Sequence, residues 1–329
     1  MKDNRQRVQA NKERAHACYR AGQLAEAKTF YGRACKRDKN DADPWFMLGM
    51  INGRLGNYVE AERCGAQAAR RRDDHAETWF NLGRAQELLE KFEPAIASYR
   101  RAAALRPDWV DAHNNLGNAL SELRRYDEAL ASYHEALRLN PDYLRTVYNI
   151  AKLNERRGDW RTALSGFDEV IARDPGFVAA RWDRALTLLT GGRLADGWRE
   201  YEWGFAVGER AVRQLPAPRW NGEPLAGKTV FVCAEQGVGD QILFISCLPD
   251  LIARAGHCVV ECEARLLPLF ARSFEQASFL PAAAPLDALA RPVDMFVPMG
   301  TLPGLFRPEL AAFPDHRGFL KADPQRVAF

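Results

Sequence analysis

Long apolar runs are missing from this chain. The longest, near Cys247, is broken by Pro249 and Asp250, so no stretch predicts a membrane span. The N-terminus, Met1-Lys2-Asp3-Asn4-Arg5, is charged and has no apolar core, which predicts no secretory signal and a cytoplasmic location. Cys-x-x-Cys pairs are also missing, although there are seven cysteines. Cys258 and Cys262 stand four apart on an expected strand with no histidine cluster nearby, so the pattern predicts free thiols and no metal site. Nor does one sign of charge dominate: the net charge is only +3, and basic runs are as short as Arg70-Arg71-Arg72. That run is expected to complement the C-terminal end of a helix, and no stripe for nucleic acid is present. With 329 residues, there is room for two domains with real cores.

What is present is a repeat. Alanine recurs every 34 residues at Ala27, Ala61, Ala95, Ala129 and Ala163, with Gly197 in the sixth place. Ala15, Gly49, Gly83, Gly117, Ala151 and Ala185 keep the same phase, preceded in the middle units by Leu48, Leu82, Leu116 and Ile150. An aromatic column reads Tyr31, Tyr99, Tyr133, Phe167 and Tyr201, with Gly65 the exception. Prolines close three units, at Pro107, Pro141 and Pro175. Small residues let antiparallel helices approach, large ones fill the gaps, and proline cannot continue a helix. A period of 34 predicts helix–turn–helix units stacked in one direction.

The segments "WFNLGRAQELLEKFEPAIASYRRAAALRPD" and "HNNLGNALSELRRYDEALASYHEALRLNPD" resemble the tetratricopeptide repeat family in their Trp, Leu-Gly, Glu-Ala, Tyr, Ala and Pro positions. The resemblance covers about residues 8 to 205 as six units. It implies an all-α tetratricopeptide superhelix over 1–205, with a concave groove for a polypeptide. Arg14 and Arg184 depart from the pattern where leucine is expected, as suits solvent-facing end units.

The sixth position of each unit reads Met47, Asn81, Asn115, Asn149 and Asp183. Helical periodicity puts it opposite the packing positions, on the concave side. Asparagine is a poor residue inside a helix, yet its amide offers a donor and an acceptor to a peptide backbone. Asn81, Asn115, Asn149 and Asp183 are thus candidate peptide-binding residues, as ladders in O-GlcNAc transferase repeats suggest. Amides solvated or bonded within the repeats are the other reading.

After residue 205 the helical period fades. Residues 206–228 are expected to be a proline-containing linker, and 229–329 alternate strands with helices: "TVFVCAE", "CVVECEA" and "VDMFVP" read as strands. This predicts a Rossmann-like α/β partial domain with a parallel sheet. Its glycine loop, Gln236-Gly237-Val238-Gly239-Asp240, lacks both the Gly-Lys-Ser/Thr of a phosphate loop and the third glycine of the dinucleotide fingerprint. Asp240 reads either as a helix N-cap or as a carboxylate poised to take a proton from a hydroxyl.

The stretch from "PRWNGEPLAGKTVFVCAEQGVGDQILF" to "FLKADPQRVAF" resembles glycosyltransferase domains of the heptosyltransferase and O-GlcNAc transferase type, which have two Rossmann-like halves (GT-B). The resemblance implies an acceptor loop at Glu235, Gln236, Gly237 and Gly239, with Asp240 as the base in a completed enzyme. Only the first half fits into the length after the linker. The expectation is therefore an inactive chain without a cofactor of its own, a nucleotide-sugar donor being implied for the complete enzyme. The alternative is a non-catalytic interaction scaffold.

Overall fold

The 34-residue period folds as twelve helices, two to each period. The computed structural model describes residues 2–282, 284–285, 292–315 and 318–327. α1 (Lys2–Arg20) packs on α2 (Leu24–Arg37), α3 (Ala42–Arg54) on α4 (Tyr58–Arg71), α5 (Ala76–Glu87) on α6 (Phe92–Leu105), α7 (Val110–Glu122) on α8 (Tyr126–Leu139), and α11 (Val178–Thr190) on α12 (Leu194–Tyr201); α9 (Leu144–Arg156) and α10 (Trp160–Arg173) lie between them in the chain. The turn after every odd-numbered helix from α1 to α11 has one residue in the left-handed region: Gly22, Gly56, Glu90, Arg124, Gly158 and Gly192, again 34 apart. The chain forms two compact units, Met1–Leu153 and Asn154–Phe329, divided within α9.

In the first unit the alanine and tyrosine columns make the core. Ala27, Ala61, Ala95 and Ala129 are buried, as are Tyr31, Tyr99 and Tyr133. Each ring lies over the small residue of its own first helix: a Cβ on Gly83 would meet the Tyr99 ring at 2.8 Å, and one on Gly117 would strike Tyr133. First helices also touch one another, α3 with α5 and α5 with α7. The basic run behaves as a helix terminus should: Arg71 Nη1 donates to the Gln67 carbonyl of the last turn of α4 at 2.6 Å, and Arg72 pairs with Asp43 at 2.9 Å.

The second unit contains the last repeats, a short α13 (Gly204–Val207) and a four-stranded parallel sheet. Its strands are β1 (Thr229–Cys233), β2 (His257–Cys262), β3 (Ser278–Pro281) and β4 (Met295–Pro298), in the order β3-β2-β1-β4. Register pairs Val230 with Cys258 and Met295, and Val259 with Ser278. Between β1 and β2 run α14 (Val238–Phe244) and α15 (Leu248–Ile252). α16 (Leu267–Ser273) precedes β3, and α17 (Leu302–Phe306) follows β4.

A parallel sheet must be covered on both faces. On one face Val230, Val232, Cys258, Val260 and Val297 pack with Phe244, Leu248 and Phe270 of the helices, and with Tyr201 of α12. On the other, Phe231, Cys233 and Val259 are covered by Val212 and Leu215 from the segment before β1. That segment, 209–228, has no helix, but it is anchored. Trp220 and Leu225 are buried, and the Trp220 amide donates to the Phe296 carbonyl at 2.7 Å. Burial pushes the thiols of Cys233, Cys258 and Cys262 up to about 12, so they stay protonated and pack as small apolar groups.

Candidate functional site

The asparagine column divides by environment. Asn149 on α9 donates to Asn114 Oδ1 at 3.0 Å and to Asn118 Oδ1 at 2.8 Å. Thr146 and Tyr133 donate to the same two oxygens. Asn149 is therefore part of a network internal to the repeats. Asn115 on α7 accepts from the Asn114 amide at 3.2 Å and hydrogen-bonds Tyr99. Asn81 on α5 has no side-chain hydrogen bond among the described residues, and it lines a cleft of about 280 Å³ between α3 and α5. Asp183 belongs to the second unit, on α11, and is only 8% exposed.

The glycine loop lies at the carboxyl end of β1, next to the point where strand order reverses between β1 and β4. That is where open α/β sheets bind ligands. Its polar side chains turn inward. Glu235 is buried and takes a two-pronged bond from Arg210, Nε to Oε2 at 2.8 Å and Nη2 to Oε1 at 2.9 Å, while the Gly300 amide donates to Oε1 at 2.6 Å. Gln236 adopts a positive φ of 59° and accepts the Tyr201 hydroxyl at 2.8 Å. Gly237 is the residue before α14, and Asp240 in its first turn accepts the Gly237 amide at 3.1 Å. Asp240 thus reaches back to the N-cap residue and is not itself the cap. It is half-buried, and no other hydrogen bond involves its carboxylate among the described residues. Gly239 is exposed, with open space where a Cβ would be.

Arg210, Arg219, Glu202 and Thr301 complete this junction and carried no local sequence signal. Arg210 is 2% exposed and lies over the Tyr201 and Phe205 rings, 4.6 and 4.2 Å from their centroids. Arg219 bonds Glu202 at 2.5 Å and Thr301 at 2.9 Å. Burial works to raise the Glu202 carboxyl, but Arg210, Arg219 and Thr301 together outweigh it and hold it below the usual range. A strand end, a loop and the last repeat helix are tied here through paired charges. Among the described residues no three His, Cys, Asp or Glu side chains are placed to share a metal ion.

Tetratricopeptide repeat family models match residues 8–51, 42–108, 110–143 and 148–201. The chain belongs to the tetratricopeptide repeat family. Protein FlbA of Caulobacter vibrioides is 34% identical over 161 residues, 44% of this chain and 27% of that protein, so this repeat protein matches only about a quarter of that relative's length. A tetratricopeptide repeat protein from Parabacteroides merdae shares the fold at a TM-score of 0.56 and 20% identity, covering 61% of this chain and 80% of that one. YrrB, described as a TPR protein with an unusual peptide-binding site, matches at a TM-score of 0.48 and 23% identity over 50% of this chain and 86% of its own. The repeats and the parallel sheet stand as read from the sequence, and no helix among the described residues is long and apolar enough to cross a membrane.

Proposed function

We propose that the repeats hold an extended polypeptide along the first helices of the first unit. The observation that carries this reading is Asn81, an amide without an internal partner in an open cleft between two first helices. Asn115 is the next amide in phase, on α7. A side-chain amide can take both groups of a backbone, with little regard to the guest's sequence. The test is a photo-crosslinker at Met50 or Arg84, both in the cleft wall, compared with one at Arg63 on α4. Capture at the first two positions, weakened about 5- to 100-fold by Asn81→Ala with Asn115→Ala, supports the groove. Equal capture at Arg63 would remove it.

For the second unit, the finer reading is the acceptor half of a glycosyltransferase of GT-B plan, Rossmann-like, with a nucleotide-sugar held by another domain. The parallel strand order and the half-buried Asp240 at the mouth of β1 support it. One Asp240 oxygen holds the Gly237 amide, which leaves the other for an acceptor hydroxyl. In a sugar-transfer assay with a radiolabelled nucleotide-sugar, Asp240→Asn should abolish whatever transfer the protein supports, with an unchanged melt. Transfer that survives Asp240→Asn would remove Asp240 as the base.

A further inference from the structure

The tyrosine column breaks once inside the first unit. Tyr31, Tyr99 and Tyr133 occupy one station in their hairpins, each buried against its own first helix. Their hydroxyls meet side chains of that helix: His16 Nδ1 at 2.8 Å, Glu87 Oε2 at 2.5 Å and Asn118 Oδ1 at 2.8 Å. The second hairpin has Gly65 at this station. Beside this hairpin is the open cleft of about 280 Å³, bounded by Gly49, Gly53, Ala61, Asn81 and Ala85, while Gly65 itself faces Leu82. By the 34-residue phase, Gly49 and Gly53 are the counterparts of Gly83 and Glu87, which the Tyr99 ring and hydroxyl touch. Asn81 is the counterpart of Asn115, which hydrogen-bonds Tyr99.

Two further observations mark the cleft as more than loose packing. A Cβ on Gly53 would meet nothing within 4 Å, so no close contact demands glycine there, although glycine weakens a helix interior. Leu88 lines the cleft and is 52% exposed, an apolar lip on a helix end. A dry cavity of roughly 150 Å³ already holds a benzene ring. Arg54 and Arg84 flank the opening.

We propose that this cleft takes the phenol side chain of a tyrosine presented by the bound polypeptide, a proposal that rests on the groove reading above. The ring occupies the cleft and the hydroxyl meets the Asn81 amide. Acidic neighbours of that tyrosine face Arg54 and Arg84.

The full chain, labelled with ¹⁵N, is titrated with p-cresol, with toluene, and with the peptides Glu-Glu-Tyr-Glu-Glu and Glu-Glu-Leu-Glu-Glu. Expected are p-cresol shifts at the Gly53 amide and the Asn81 side chain, and a tyrosine peptide that outbinds the leucine peptide. Gly53→Leu should fill the cleft and remove the p-cresol shifts while the chain melts no lower. Asn81→Ala should weaken p-cresol roughly 2- to 10-fold and leave toluene unchanged. Absence of p-cresol shifts at Gly53 and Asn81, or shifts that persist in Gly53→Leu, would overturn the proposal. The two readings separate cleanly. A crosslinked polypeptide held equally well by Gly53→Leu removes the phenol pocket and keeps the groove. Binding of p-cresol with no capture at Met50 or Arg84 keeps the pocket and removes the groove.

Discussion

A Cβ added to Gly83 would stand 2.8 Å from the ring of Tyr99. The small column and the aromatic column are therefore one contact repeated, and substitution should show it. Overpacking costs about 1–3 kcal/mol, while alanine returns up to about 1 kcal/mol of helix propensity. Gly83→Ala should lower stability by about 1–2 kcal/mol. Gly53→Ala, with no atom near its new methyl, should raise it by about 0.5–1 kcal/mol. Paired thermal melts of the two variants check this, and a shift of the same sign in both would refute the contact.

Asn149 and Asn81 share a phase but not a task. Asn149→Ala removes the donor that links Asn114 and Asn118, so it should cost about 1–2 kcal/mol. Asn81→Ala removes no internal bond, and alanine is the better helix former, so its melt should stay level or rise. Denaturant titration of the two variants distinguishes them, and an equal loss in both would mean that Asn81 has a structural partner in solution.

The helix pairs were legible because their contacts are local and periodic. Ala129 and Tyr133 recur in phase, and the phase alone puts them at a helix–helix contact. The turn column was not, because Glu90 and Arg124 replace glycine in two of its places. β3 carries little strand signal in the sequence, because it is four residues long, only partly buried and on the sheet edge. The helical segment after β1 breaks into a 3-10 turn at Ile245–Cys247, just before Pro249. Glu235 in its loop looks like chemistry because its partner, Arg210, lies 25 residues upstream in a segment that reads as a linker. Only tertiary packing brings the two together. The Asn149 network is likewise built from three residues whose side chains meet only after stacking.

Glu90 and Arg124 hold φ near 58°, where a side chain is strained and glycine is not. Glu90→Gly should stabilise the first unit by up to about 1 kcal/mol, the relief of strain being partly offset by the freer unfolded chain. Gly56→Ala, at φ 74°, should destabilise by about 1 kcal/mol or more. Urea titrations in which Glu90→Gly melts earlier than the parent would show that another interaction of Glu90 outweighs the strain.

The buried pair of Arg210 and Glu235 makes the sharpest prediction for the second unit. Arg210→Met leaves Glu235 charged and enclosed, with only the Gly300 amide to bond it, and should cost about 3–5 kcal/mol. Adding Glu235→Gln restores a neutral partner that still accepts from Gly300, so the double variant should recover most of that loss. Glu202 adds a pH dependence. Its folded pKa lies below the unfolded value of about 4.3, so its stabilisation is present above that value and is lost as pH falls through the folded one. The melting advantage of the parent over Glu202→Gln should therefore be full at pH 7 and shrink steadily below about pH 4. An advantage that grows on acidification would mean that the carboxyl is raised by its burial, with the two arginines too weakly engaged to hold it ionised.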